Sequence, residues 1–323
     1  MSAVAAARRR PPAPKAALAV VLASAACAAG GAPFAYVPCQ ASHEVSVVDL
    51  ETRRVAATIP VGRSPAGIAV AESAGKAYVT NADGRSVSVI DLATRKRTAD
   101  LPAGSGPVGI AASPDGRRVY VADWYGNALL VFDTRDDRQV ATVPVGHAPA
   151  GVAVSPDGAR VFVAERDDDS VAVVDADKLA VVDHLATGEH PFALGVSPDG
   201  RALLALNVVS NDVDVFELPA GRARARIAVG LAPYGVAFDG TRAYVTNQHA
   251  ASVSVIDLAA GKRLADWPTA DYPEGIAVAG DRLVVVSWME DCVQLLALAD
   301  GRRQACVDVG RNPRGFGQFL SSR

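Results

Sequence analysis

Several familiar chemistries are missing from this sequence. It contains no Cys-x-x-Cys-His segment for covalent haem attachment, no Gly-x-Ser-x-Gly nucleophile turn and no glycine-rich phosphate loop. Aromatic residues are few, with three tryptophans, seven tyrosines and eight phenylalanines in 323 residues, and there are only four cysteines. The apolar run from Ala16 to Ala26 falls short of the ~20 residues a membrane-spanning helix needs. Neither charge sign dominates, and the formal net charge is −3. Half of the residues are apolar, which excludes a disordered or collagen-like chain.

The N-terminus has its own character. Arg8, Arg9, Arg10 and Lys15 precede the apolar run, and small residues follow it through Ala32. A basic segment, a short apolar segment and Ala-x-Ala-like sites describe a secretory signal peptide over residues 1–28, with 29–33 as a linker. Pro11, Pro12 and Pro14 stand where a twin-arginine signal wants apolar residues, so Sec-type export is expected. Lipidation of Cys27 is the minority alternative, because the residues before it lack the usual leucine three positions upstream. Cleavage removes four basic residues and no acidic one, taking the charge from −3 to −7. The mature protein is then expected to be a monomer, periplasmic or secreted. It has no transmembrane span and no electrostatic reason to bind nucleic acid. Cys39, Cys292 and Cys306 remain as disulfide candidates in a compartment that permits the bond. With a turn near Asp300-Gly301, Cys306 falls opposite Leu295, so Cys292 and Cys306 are not expected as direct cross-strand partners, although a bulge could change that, and the pairing stays open.

A repeat organises the rest. The segment Gly62-Arg63-Ser64-Pro65-Ala66-Gly67 recurs with variations, and its prolines fall at 65, 107, 149, 191, 233, 273 and 313. Each unit carries an apolar stretch after the proline and then a turn, three times spelled Ser-Pro-Asp-Gly. A second strand such as Arg242-Ala243-Tyr244-Val245-Thr246-Asn247 follows. An alternating third strand and a short fourth strand complete the unit. Seven units of four short strands predict an all-β, seven-bladed β-propeller over residues 34–320, with 321–323 as a tail. Because Phe34 to Val37 aligns with the second strand and the last unit supplies only a first strand, residues 34–61 and 313–319 should share one composite closing blade.

Tyr78-Val79-Thr80-Asn81 and Tyr244-Val245-Thr246-Asn247, each followed by Ser-Val-Ser-Val-Ile-Asp, resemble the repeat of the YVTN β-propeller family. The resemblance covers residues 34 to about 319 and implies the fold strongly and the function weakly. Related propellers include binding and surface proteins as well as subunits of periplasmic amine-oxidising quinoproteins.

In four-stranded blades the Gly-x-x-Pro loops and the loops after the second strand open on one mouth of the central channel. The residue after each proline begins the innermost strand, which brings Phe192, Tyr234, Glu274 and Arg314 to that mouth; Glu274 and Arg314 could form an ion pair across the funnel. The other loops add Trp124, Tyr125, Glu165, Arg166, Trp288 and Glu290. His190 lies there with His43, His147 and His249, each in a separate blade and without chelate spacing. Asp167-Asp168-Asp169 is expected to be a solvated loop tip. The pattern points to a binding or scaffold module without cofactor or assigned catalytic residue. The rival is a lactonase-like hydrolase or a subunit of an amine- or quinone-linked dehydrogenase, with a metal or cofactor near Glu165, His190 or Glu274.

Overall fold

The computed structural model describes residues 33–323. The expected signal peptide and Cys27 lie outside the described residues. Seven antiparallel sheets form the predicted all-β, seven-bladed propeller. Blade 2, for example, runs outward from the channel as Pro65–Ala71, Lys76–Asn81, Ser86–Asp91 and Lys96–Pro102. Blades 3 to 7 repeat this course, with inner strands Pro107–Ala112, Pro149–Val154, Pro191–Val196, Pro233–Asp239 and Pro273–Ala279. Among the described residues no helix is long and apolar enough to cross a membrane.

The repeated residues explain the ring. Tyr36, Tyr78, Tyr120, Phe162 and Tyr244 occupy one position of the second strand in five of the seven blades and are fully buried. Such large side chains, removed from water together with the aliphatic residues around them, drive the stacking of sheet on sheet. The following threonine ties neighbouring blades together. Thr80 Oγ1 donates to the Val108 carbonyl of blade 3 at 2.7 Å and accepts the Gly67 N–H of its own blade at 2.8 Å. Thr246 does the same between blades 6 and 7, reaching the Glu274 carbonyl at 2.7 Å.

The Ser-Pro-Asp-Gly turns lie on the face away from the Gly-x-x-Pro loops. In the first, Ser113 Oγ donates to Asp115 at 2.6 Å and accepts the Arg118 N–H at 2.9 Å, while Gly116 takes φ +69°. A left-handed residue closes this turn, and glycine adopts it without a Cβ penalty.

Closure follows the predicted composite blade with one correction. The strand Phe34–Cys39 does pair with the C-terminal segment. The Arg314 N–H donates to the Pro38 carbonyl at 2.7 Å, and the Tyr36 N–H donates to the Phe319 carbonyl at 2.8 Å. The paired strand is Leu320–Ser321, however, past the expected end of the closing strand. The intervening Phe316–Gln318 leaves blade 1 and pairs in parallel with Gly67 to Ala69 of blade 2. Burial of the Phe316 ring in the channel draws the chain inward. Gly317 allows it: its φ is +115°, and a Cβ there would stand 2.3 Å from the Ile68 carbonyl oxygen. The last residues, expected as a tail, take part as well. Ser321 is buried and bonds Glu72, and the Tyr36 hydroxyl donates to the Arg323 carbonyl at 2.9 Å.

A second correction concerns blade 7. A bulge between Leu295 and Leu296 shifts the outer hairpin by one residue, so Cys306 faces Gln294 instead of Leu295. Cys306 thereby shares a side of the sheet with Cys292, and the two form a disulfide with Cα atoms 5.8 Å apart. Cys39 is free and buried, and burial pushes its thiol up to about 11.

Candidate functional site

The loops between second and third strands rest on the Gly-x-x-Pro loops through backbone hydrogen bonds, which builds the mouth predicted from the repeat. The Trp124 N–H donates to the Gly106 carbonyl, Gln248 to Ala232, and Trp288 to Tyr272, each at 2.9 Å. Side chains from blades 3 to 7 and from the C-terminal closing segment then meet in a continuous band. The Arg166 guanidinium lies over Trp124 at 5.6 Å, and Trp124 stands 6.1 Å from Phe192. Phe192 packs on Tyr234 at 4.7 Å and on Phe316 at 5.2 Å. The Tyr234 hydroxyl accepts from Arg314 Nη1 at 2.9 Å, and the Arg314 guanidinium lies 5.9 Å from the Trp288 ring centre. The band continues from Trp288 to Tyr272 at 5.8 Å and from Tyr272 to His249 at 5.3 Å.

Glu274 is sealed beneath this band, 1 % exposed. Oε1 accepts from Gln248 Nε2 at 2.8 Å, whereas Oε2 has no hydrogen-bond partner among the described residues and stands 3.7 Å from Arg314 Nη1. The expected ion pair therefore forms, but end-on and long. Arg314 spends its donors on Tyr234 and on Gln40 Oε1 at 3.0 Å. Loss of solvation outweighs the nearby guanidinium and pushes the Glu274 carboxyl up to about 7. Burial also raises the Tyr234 hydroxyl.

The mouth is therefore packed at its centre by Phe192, Tyr234 and Phe316. A cavity of ≈ 210 Å³ lies in the channel beneath, bounded by inner-strand glycines and by Ile110, Val152, Leu194, Val236, Ile276 and Phe316. No charged side chain lines it among the described residues.

Of the residues singled out in the sequence, Trp124, Arg166, Phe192, Tyr234, Glu274, Trp288 and Arg314 meet in the band. Tyr125 and Glu290 stand on the rim, both exposed. His190 has its backbone N–H on Asp169 at 2.8 Å, and its buried Nδ1 has no partner among the described residues. Glu165 is engaged within its own blade. Its Oε1 accepts the Gly146 N–H at 2.7 Å, while Oε2 takes the Ser170 hydroxyl at 2.5 Å and His184 Nδ1 at 2.9 Å. It ends the second strand of its blade, as Asn81, Asn207 and Asn247 do in theirs, and that shared position marks it as a loop clasp. Hydroxyl and imidazole both address the same carboxylate, so this trio holds a loop in place and has no nucleophile joined to a base.

The other histidines are dispersed. His147 Nδ1 meets Asp168 at 2.8 Å, and His43 Nδ1 accepts the Ser64 N–H at 3.1 Å. Among the described residues, no three His, Cys, Asp or Glu side chains are grouped to hold a metal ion. The sequence reading missed Phe316, Gln40, Gln248 and Tyr272. None carries a motif, although Phe316 lies between two glycines in a place where the other units have apolar β residues.

Comparison with known proteins gives the same architecture. The model of the family described as "Lactonase, 7-bladed beta-propeller" matches residues 92–223. No curated protein sequence matches the chain. Hydrazine synthase of Kuenenia stuttgartiensis is similar in structure, with TM-score 0.74 and 23 % identity over 83 % of this chain and 95 % of that one. A functionally unknown protein from Desulfotomaculum acetoxidans DSM 771 gives TM-score 0.76 and 15 % identity over 87 % and 99 %. The dihydro-heme d1 dehydrogenase NirN gives 0.66 and 20 % over 88 % and 74 %. At these identities the likeness establishes the fold alone.

Proposed function

We propose that this is an exported binding module that engages a partner through the loop face of its mouth. One observation carries the reading. Among the described residues eight large apolar side chains are exposed; four (Val55, Val140, Val182 and Leu264) are scattered on outer strands, and the other four (Tyr125, Val209, Leu231 and Met289) all lie on mouth loops. Apolar exposure on the loops of one face of a rigid scaffold is a feature of recognition surfaces. The Cys292–Cys306 bond supports an oxidising compartment, in line with the signal-like N-terminus. A photo-crosslinking group at position 125 should trap a partner from periplasmic extract, while the same group at position 140 should not. Equal trapping from both positions would overturn the reading.

A second reading, a lactone hydrolase, draws on the family match over residues 92–223. Glu274, pushed up to about 7, has the proton affinity of an acid–base group, but at 1 % exposure it does not meet a substrate without opening of the band. Turnover of a lactone panel that disappears in Glu274→Gln would establish the hydrolase and displace the binding reading.

A further inference from the structure

The mouth is electrically lopsided, and the asymmetry coincides with its apolar residues. Tyr125, Val209, Leu231 and Met289 belong to the loops of blades 3 to 7, with Tyr125 76 % exposed and Leu231 and Met289 each 55 % exposed. The same loops carry Asp167, Asp168, Asp169, Glu189, Asp271 and Glu290, and their one lysine or arginine is Arg166. Arg166 is already committed, stacked on Trp124 and paired with Asp167 at 2.5 Å. The remaining arc, from the closing seam through blade 2, has no exposed large apolar side chain on its loops. It carries Arg63, Arg85 and Arg311 against Asp83. An acidic, apolar crescent thus faces a short basic arc around one rim.

We infer that the crescent over blades 3 to 7 is the docking surface for a basic protein segment, one in which lysine or arginine alternates with aromatic or aliphatic side chains. This rests on the binding reading above and names its partner class. The physical argument has two parts. Tyr125, Leu231 and Met289 offer apolar area that a partner removes from water, and tyrosine and methionine are enriched at such contacts. The acidic loops steer a cationic partner onto that area, and the basic arc turns it away from the closing seam. Among the described residues Glu189, Asp271 and Glu290 form no ion pair, which suits them to this role. A nucleic acid or an anionic membrane meets the wrong sign here.

The test uses the mature protein and a phage library of random dodecapeptides. Three immobilised targets are panned: wild type, the apolar-rim variant Tyr125→Ser/Met289→Ser, and the charge variant Glu189→Lys/Asp271→Lys/Glu290→Lys. Unchanged thermal melts establish that the variants fold. Wild type should enrich peptides combining lysine or arginine with aromatic or aliphatic residues. Affinity of the leading synthetic peptide should fall about tenfold or more in each variant, and further as salt rises. Enrichment of acidic or uncharged peptides that the rim variant no longer binds would overturn the basic partner while leaving the mouth as the binding face. Peptides indifferent to both variants, or no enrichment, would overturn both. Rim-dependent sedimentation with phosphatidylcholine vesicles in place of peptide selection would reassign the surface to lipid.

Discussion

Arg314 Nη1 stands 3.7 Å from Glu274 Oε2, close enough to favour the carboxylate and too far to hydrogen-bond with it. Burial prevails, and the carboxyl of Glu274 is raised from 4.5 to about 7. A raised carboxyl means that the folded state binds the proton more tightly than the unfolded chain does. Its stabilising effect is complete below the unfolded value and is lost as pH rises through the folded one. Glu274→Gln should therefore remove a decline in stability between pH 4.5 and about 7. Urea midpoints at about pH 5 and about pH 8 check it: the variant should gain on wild type at the higher pH. The aspartates held low by turn hydrogen bonds, Asp91 by the Thr94 N–H and Asp157 by the Ser155 hydroxyl, act in the opposite sense and below their ordinary 3.8.

Ring closure depends on eleven C-terminal residues. Removing Pro313 to Arg323 takes away the bonds to Pro38 and Tyr36, the parallel pairing with blade 2 and the buried Phe316 and Phe319. Deletion should lower the melting temperature well beyond the effect of losing an ordinary tail, and an unchanged melt would contradict this closure. Gly317→Ala probes the same seam with one atom. Its φ of +115° and the Ile68 oxygen 2.3 Å from the added Cβ leave no strain-free place for it, so a loss of ~1–3 kcal/mol is expected by denaturant titration.

The cysteines should show two states. Mass spectrometry of the purified protein should find Cys292 linked to Cys306. The bond closes a loop of sequence separation 14, so Cys306→Ser should cost about 3 kcal/mol or less. Cys39 is 0 % exposed and its thiol is raised to about 11, so it should resist thiol reagents until the protein unfolds.

A clasp residue should behave as structure. Asn247 Oδ1 accepts the Gly230 N–H at 3.1 Å, while its Nδ2 donates to Ser252 and Ser254, each at 3.0 Å. Asn247→Ala leaves these groups unsatisfied and should cost on the order of 1–3 kcal/mol. Glu165→Gln, which keeps the clasp's shape, should leave any mouth-binding activity in place, as titration of a partner against both proteins would show.

How much of the site was legible depended on whether the repeat carried it. Trp124, Phe192, Tyr234, Glu274, Trp288 and Arg314 were placed at one mouth because each sits at a numbered position of a unit whose geometry recurs. The same register could have exposed Glu165 as a clasp, since it falls where Asn81 and Asn247 fall. Phe316, Gln40 and Gln248 depend on contacts between distant segments, such as the 274 residues separating Gln40 from Arg314. No spacing rule reaches that far.

The amino-acid sequence alone determined the seven blades, the strand order within each, the composite closure and the face to which the unusual side chains belong. All of these follow from local turn chemistry and a period of 40 to 42 residues. The tertiary structure alone decided that Phe316 plugs the channel, that Glu274 is sealed without a full partner, that a bulge brings Cys292 to Cys306, and that acid and apolar surface share one crescent. The division has a physical cause. Turns and strands are set by neighbours in the chain, whereas a plug, a buried charge and a shared rim are set by what the ring brings together from opposite blades.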